Sequence, residues 1–295
     1  MAKESKIEWT RSSFNPWQGC HEVSPACDHC YARSGARRFG RGEWAKDGFR
    51  WFPSEEYWLQ PLRWDRQARE AGERHRVFCG SMCDVFEKRA DLDSQRERLW
   101  PLIEATPNLD WLLLTKRPQG ILKMVPWTSN WPANVWVGTT TEDQYWADKR
   151  VPHLLKIPST VRFLSCEPLL GPINLTPHLG EGPGKIGWLI AGGESGPGAR
   201  PTALEWVRSL RDQCVAAGIQ FFHKQWGAWV PTDETSNTPP KRRLVVVGTE
   251  MERLSKKAAG RELDGRTWNQ LPVVRLPQGW PPNERVVPVA PPRVA

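Results

Sequence analysis

Short apolar runs, rich in β-branched and aromatic residues, recur along the chain between stretches of helical pattern. They cover residues 77–79, 111–115, 135–139, 161–165, 188–192 and 219–223. Runs this short and apolar predict strands buried on both faces, as in a parallel sheet. Helical pattern is expected over 30–39, 92–104, 118–124 and 203–217. Asp91 or Asp93 would cap the second of these. In the last, Leu204, Val207, Leu210 and Cys214 share one face, and Gly218 marks the end. Strands alternating with helices imply βα units joined by right-handed crossovers. About six or seven units fit, so the expected fold class is α/β, a partial or full (βα) barrel, with a doubly wound open sheet as the alternative.

Residues 1–230 are expected to form this barrel, with an insertion around 40–75. That stretch is rich in Trp, Arg and Glu and weakly periodic, which suits helices or a lid. After Trp226 the pattern breaks down. Residues 231–275 read as a basic C-terminal subdomain, with nine basic residues against four acidic ones over 241–275. Lys256, Lys257, Arg261 and Arg266 are its candidates for gripping a nucleic-acid backbone, helped by Trp268. The alternative is a solvated subdomain held to the barrel by Leu254, Leu263 and Trp268. Residues 276–295 hold many prolines and are expected to be extended.

Charge sharpens the choice of partner. The chain of 295 residues carries a formal net charge of +8. Its isoelectric point is near 9.3, which favours an anionic partner, nucleic acid first. Trp is frequent, at 18 residues, and serves core packing or base stacking. Seven cysteines do not suggest the disulfide framework of a small secreted chain, so reduced thiols and a cytoplasmic location are expected. The first residues are polar and charged, unlike a signal peptide, and no apolar run would span a bilayer, so no membrane partner is expected.

Three of the cysteines, Cys20, Cys27 and Cys30, follow the spacing C-x6-C-x2-C. A closed zinc site usually takes four protein ligands, and His21, His29, Cys79 or Cys83 would supply the fourth. A [4Fe–4S] cluster on three thiolates leaves one iron open to a small molecule. The cysteine loop is followed by a helix and then a run of βα units, which favours the cluster.

The chain resembles the phage-associated three-Cys-motif family, a branch of the radical S-adenosylmethionine (SAM) superfamily. The resemblance is carried by the segments 15–20, 24–32, 81–86, 114–118, 137–142, 166–171, 192–200 and 256–261, beginning with Asn15-Pro16-Trp17-Gln18-Gly19-Cys20. The more common superfamily spacing is C-x3-C-x2-C, so the first gap here is longer. The resemblance implies a [4Fe–4S] cluster on Cys20, Cys27 and Cys30, with SAM chelating the open iron. Reductive cleavage of SAM would give methionine and a 5′-deoxyadenosyl radical, and a reductant protein such as flavodoxin or ferredoxin would supply the electron.

The strand ends, where a barrel places its site, offer the residues to hold SAM. Ser81 and Asp84 follow the second strand, and Asp84 suits the SAM amino group, or else a cap or turn. Lys116 and Arg117 end the third and suit a carboxylate or phosphate. Glu142 and Glu167 suit ribose hydroxyls or helix caps. Gly192, Gly193 and Glu194 end the sixth; the glycines would let backbone approach a ligand and Glu194 would hold a polar group. The expected function is a radical SAM enzyme acting on a nucleic-acid base, by modification or lesion repair. The alternatives are a radical enzyme for a small molecule or peptide, and a zinc-stabilised nucleic-acid-binding protein without catalysis.

Overall fold

A computed structural model describes residues 5, 7–127, 130–232, 242–272 and 274. Seven strands form one sheet: β1 (Ser12–Phe14), β2 (His75–Cys79), β3 (Leu109–Thr115), β4 (Val135–Thr140), β5 (Arg162–Cys166), β6 (Trp188–Gly192) and β7 (Gln220–Gln225). All are parallel, in the order β1-β2-β3-β4-β5-β6-β7. An order that never reverses winds one way, as in a barrel and unlike a doubly wound sheet. β1 and β7 are not neighbours, so the sheet is an open half-barrel.

The period-two alternation of side chains explains its two faces. On the outer face Val77, Trp111, Leu113, Val137, Leu164 and Leu189 join one core with residues of the surrounding helices. The intervening residues Phe78, Leu112, Trp136, Phe163, Trp188 and Phe222 face inward and form a second core, plugged by Trp9. Trp136 and Trp188 meet edge-on at 6.1 Å, and Trp9 packs on Phe78 at 4.8 Å. Each such pair adds about 0.5–1.5 kcal/mol beyond its buried area.

The helices are α1 (Tyr31–Phe39), α2 (Glu55–Trp58), α3 (Gln60–Ala71), α4 (Asp93–Glu104), α5 (Ile121–Met124), α6 (Gln144–Leu154) and α7 (Leu204–Ala216). β1 escaped the apolar pattern because it is three residues long with one apolar side chain. α6 also escaped it: Pro152 lies inside, and the start is fixed by Asp143, whose side chain accepts from the Trp146 amide. The N-cap of α4 is Leu92; Asp93 is its first residue and pairs with Arg96, so neither expected aspartate takes the cap position. The 40–75 segment contains α2, α3 and a loop.

A second, antiparallel sheet follows, with β8 (Trp229–Pro231), β9 (Arg243–Val246) and β10 (Thr249–Arg253) in the order β8-β10-β9. The expected boundary at 230–231 thus falls inside β8. After α8 (Lys256–Ala259) a small hairpin, β11 (Glu262–Leu263) and β12 (Arg266–Thr267), turns the chain back along β7. There the His223 amide donates to the Trp268 carbonyl at 2.9 Å, and Trp226 Nε1 donates to the Glu262 carbonyl at 2.7 Å. The expected proline-rich tail, 276–295, lies outside the described residues. Among the described residues no helix is long and apolar enough to cross a membrane.

Candidate active site

The inward-facing residues change character along the strands. Near the amino ends they are aromatic. Toward the carboxyl ends the same alternation continues into Lys116 after β3, Thr140 in β4, Ser165 and Glu167 at β5, and Lys224 in β7. These five line a cavity of about 150 Å3, with Trp9, Phe78 and Leu114 also in its wall. Lys224 Nζ lies 2.8 Å from Glu167 Oε1, and Ser165 donates to Glu167 Oε2 at 3.1 Å. Lys116 has no ion pair among the described residues. Trp9 Nε1 is buried with no hydrogen-bond partner among them.

Cys20, Cys27 and Cys30 all line this cavity, as do Ser81, Cys83 and Asp84. The cysteines are free thiols. Cys30 is the N-cap of α1, and Cys27 closes a short turn over Pro25–Cys27. The loop between them is held at both ends. At its start, Arg117 Nη2 donates to the His21 carbonyl at 3.0 Å, and Arg117 Nη1 lies 3.9 Å from Cys20 Sγ. His21 Nδ1 is 2.8 Å from Glu87 Oε1. Arg50 meets both Glu87 oxygens, at 3.2 and 2.6 Å, and both side chains are buried. At its far end, Arg200 reaches Asp28 Oδ2 at 3.0 Å and the Pro25 carbonyl at 2.8 Å.

Asp84 is the hub of the first anchor. Its oxygens accept from Thr115 Oγ1 at 2.7 Å, Phe86 N at 3.0 Å, Lys116 N at 3.2 Å and Arg117 Nη1 at 2.7 Å. Burial works to raise its pKa, but the Arg117 charge and these hydrogen bonds together hold it below the ordinary value. Asp84 therefore ties β2 to β3 within the cavity wall. Burial first, and the Asp84 charge next, push the Cys20 thiol up to about 12, against the pull of Arg117. A thiolate there needs a bound cation to hold it ionised.

Four of the expected cofactor residues, Ser81, Asp84, Lys116 and Glu167, thus share the cavity with the three cysteines. Glu142, Gly192, Gly193 and Glu194 are not in its lining, and the reasons are physical. Glu142 is fully buried against α6, with Oε2 2.7 Å from Arg150 Nη1, while Asp143 caps that helix. A Cβ at Gly192 would lie 3.0 Å from Glu167 Oε1, so the bare backbone makes room for that carboxylate. A Cβ at Gly193 would lie 1.9 Å from the Trp226 carbonyl oxygen; the close approach served is that of this chain's own backbone, not a ligand's. Glu194 accepts three hydrogen bonds from Arg200, which carries it to the cysteine loop instead.

Sequence reasoning missed Trp9, Tyr31, Thr140 and Ser165 as lining residues. Period-two counting forward from Trp136 and Phe163 would have found the last two. Of the suggested fourth ligands, His21 and Cys83 both line the cavity, His21 paired with Glu87, and Cys79 is buried in the outer core. His29 packs over Gly198. Among the described residues no group of three or more His, Cys, Asp or Glu is placed as a metal-ion site.

The basic C-terminal candidates separate too. Lys256 and Lys257 are exposed, although Lys256 Nζ lies 3.7 Å from Glu8 Oε1. Arg261 turns inward: it donates to the His223 carbonyl at 3.3 and 3.1 Å and stacks over Phe222 at 4.6 Å. Burial lowers its pKa, and it works as a staple between the hairpin and β7 rather than as a phosphate ligand. Arg266 lies over the Trp268 ring at 3.9 Å.

A search of curated proteins finds no match to the chain. Among solved structures, a mutant spore photoproduct lyase with bound AdoMet and dinucleoside spore photoproduct aligns with a TM-score of 0.46 at 9% identity, over 87% of this chain and 72% of that one. A second mutant of that lyase gives 0.46 at 11% identity over the same shares. A third, with dinucleoside spore photoproduct, gives 0.41 at 10% identity, over 82% and 67%. A family model described as "Protein of unknown function (DUF5131)" matches residues 4–272, and the chain belongs to that family.

Proposed function

We propose that the chain is a radical SAM enzyme that acts on a nucleic-acid base, by modification or lesion repair. One observation carries the first half: the three cysteines of a single loop line one cavity with polar residues at the carboxyl ends of the strands. The donor set fits the cluster. Three free thiols from one loop suit iron, and the Arg117 guanidinium beside Cys20 favours a thiolate. When bound, the cluster supplies the electron that cleaves the carbon–sulfur bond of SAM, with a flavodoxin- or ferredoxin-type protein as its donor.

The residues of the chain have separable tasks in this reading. Cys20, Cys27 and Cys30 hold the cluster. Lys116, a cavity cation with no ion pair among the described residues, takes the SAM carboxylate. Glu167, oriented by Lys224 and Ser165, accepts from hydroxyl or amino groups. The aromatic floor of Trp9 and Phe78 excludes water. Asp84 and Arg117 fix the wall that carries Cys20. The net charge of +8 supports an anionic substrate and thereby the second half.

Anaerobic reconstitution with iron and sulfide, followed by SAM and dithionite, tests the reading. The expected product is 5′-deoxyadenosine, absent with Cys27→Ala. The zinc alternative has one observation in its favour, the fourth cysteine, Cys83, in the same cavity. Zinc without iron or sulfide in protein purified anaerobically would overturn the radical reading.

A further inference from the structure

Helix α1 begins where the cysteine loop ends. It turns Ala32 and Ala36 inward and leaves Arg37, Arg38 and Phe39 exposed. Arg41 follows, over the Trp51 ring at 4.9 Å. Residues 31–52 hold six basic side chains against two acidic ones. Arg50 is committed to Glu87, and Arg33 pairs with Glu22. Arg37, Arg38 and Arg41 have no carboxylate partner among the described residues. Basic residues in the last turn of a helix also offset its dipole, but that leaves the neighbouring rings unexplained. Phe39 is 67% exposed, Phe49 57% and Phe52 42%.

The patch leads to the cavity. A groove of about 430 Å3 is lined by His29, Cys30, Tyr31, Arg33, Arg37 and Gly196. Cys30 and Tyr31 line the cavity as well. Cations with no carboxylate partner among the described residues, exposed flat rings and a path into a cavity together suit one kind of ligand. Phosphates meet the arginines, bases stack on the phenylalanines, and one base can reach the interior.

We infer that α1 and the loop after it form the binding surface for single-stranded nucleic acid, through Arg37, Arg38 and Arg41 with Phe39, Phe49 and Phe52. This rests on the nucleic-acid reading above and moves its interface away from the C-terminal segment, where Arg261 is already spent on carbonyls.

The test is fluorescence anisotropy with fluorescein-labelled, mixed-sequence single-stranded DNA and RNA oligonucleotides across a salt series. The triple variant Arg37→Ala, Arg38→Ala, Arg41→Ala is expected to lose affinity at least about tenfold, and its salt slope should fall by about 2, three phosphates at about 0.7 each. The triple Arg→Lys variant keeps the slope and, with an unchanged unfolding midpoint, shows that charge is what was lost. Replacing the three phenylalanines by alanine weakens binding without changing the slope. A variant of Lys256, Lys257 and Arg266 binds as the native chain does. If that variant loses binding while the α1 variant keeps it, the surface is wrongly placed and the nucleic-acid reading stands. If the native chain shows no salt-dependent binding, both fall. An α1 variant that binds oligonucleotide normally but is reduced more slowly by flavodoxin gives the surface to an acidic electron-transfer protein and overturns the inference.

Discussion

At the β2–β3 end of the sheet, Asp84 sits in the cavity wall, bound to Arg117; at the β6 end, Glu194 holds the same kind of strand-end place and also binds an arginine, yet stays outside the cavity lining. The difference lies in what closes each end. After β2 the chain runs on to Glu87, which holds the His21 ring, and Arg117 after β3 reaches the His21 carbonyl and Cys20. After β6 the backbone packs directly on Trp226 and Gly227, and the C-terminal hairpin seals β7 from outside. The cysteine loop is therefore gripped by a buried set of charges at its start and by a partly exposed one at its end. A strand-end acid becomes part of a site only where the following backbone leaves it room.

The buried grip gives the largest predicted effect. Glu87 is fully buried and compensates Arg50, itself 2% exposed. Glu87→Ala leaves that guanidinium without its counter-charge and is expected to cost about 3–5 kcal/mol in denaturant unfolding. A cost below about 1 kcal/mol would erase the contrast between the two ends. Gly193→Ala comes next, at about 1–3 kcal/mol or more, because its Cβ would overlap the Trp226 carbonyl. The loss should appear with no cofactor added. Unchanged stability with weakened SAM binding would return Gly193 to the role of ligand contact.

These two residues also mark where the sequence is readable. Strands β2 to β7 are legible because apolar side chains on both faces leave short unbroken runs. Lys116 and Glu167 continue that alternation past the strand ends, and the three cysteines are close in the chain. Gly193 and Glu194 had the same local signature, but their use depends on Trp226 and Arg200, which meet them only in the fold. Arg261 shows the same gap: a basic residue in a basic segment gives no local sign that its guanidinium folds back onto backbone carbonyls. Trp9 is one tryptophan among many until β1 brings it under the sheet.

His223, on the sealed edge, offers a pH test. Burial pushes its pKa down to about 3 from an ordinary 6.5, with only the Arg261 carbonyl working the other way. Between those values the unfolded chain binds a proton that the native one does not, so stability falls as pH falls from 6.5 toward 3. The slope from this residue approaches about 1.4 kcal/mol per pH unit, and above 6.5 it contributes none. His223→Gln should flatten the acid limb of the unfolding midpoint against pH. An unaltered limb would mean that the sealed edge opens to water.

The smallest effect on stability is expected at the exposed grip. Arg200 is about 30% exposed and its partner Asp28 about half, so water screens much of their attraction. Arg200→Ala should cost about 1–2 kcal/mol by unfolding, since Glu194, left buried without its counter-charge, keeps the Arg200 backbone amide at 2.8 Å as a partner. What it removes is the tie between β6 and the Pro25–Asp28 stretch that carries Cys27. Iron retained after reconstitution and gel filtration should therefore drop, and SAM-free protein should lose it faster under chelator, while Arg200→Lys restores part of the retention through a single bond to Asp28. A stable Arg200→Ala protein that keeps its iron as the native chain does would show that the buried grip alone fixes the loop. In that case the long first gap between cysteines is held from one side, and the exposed end is free to move.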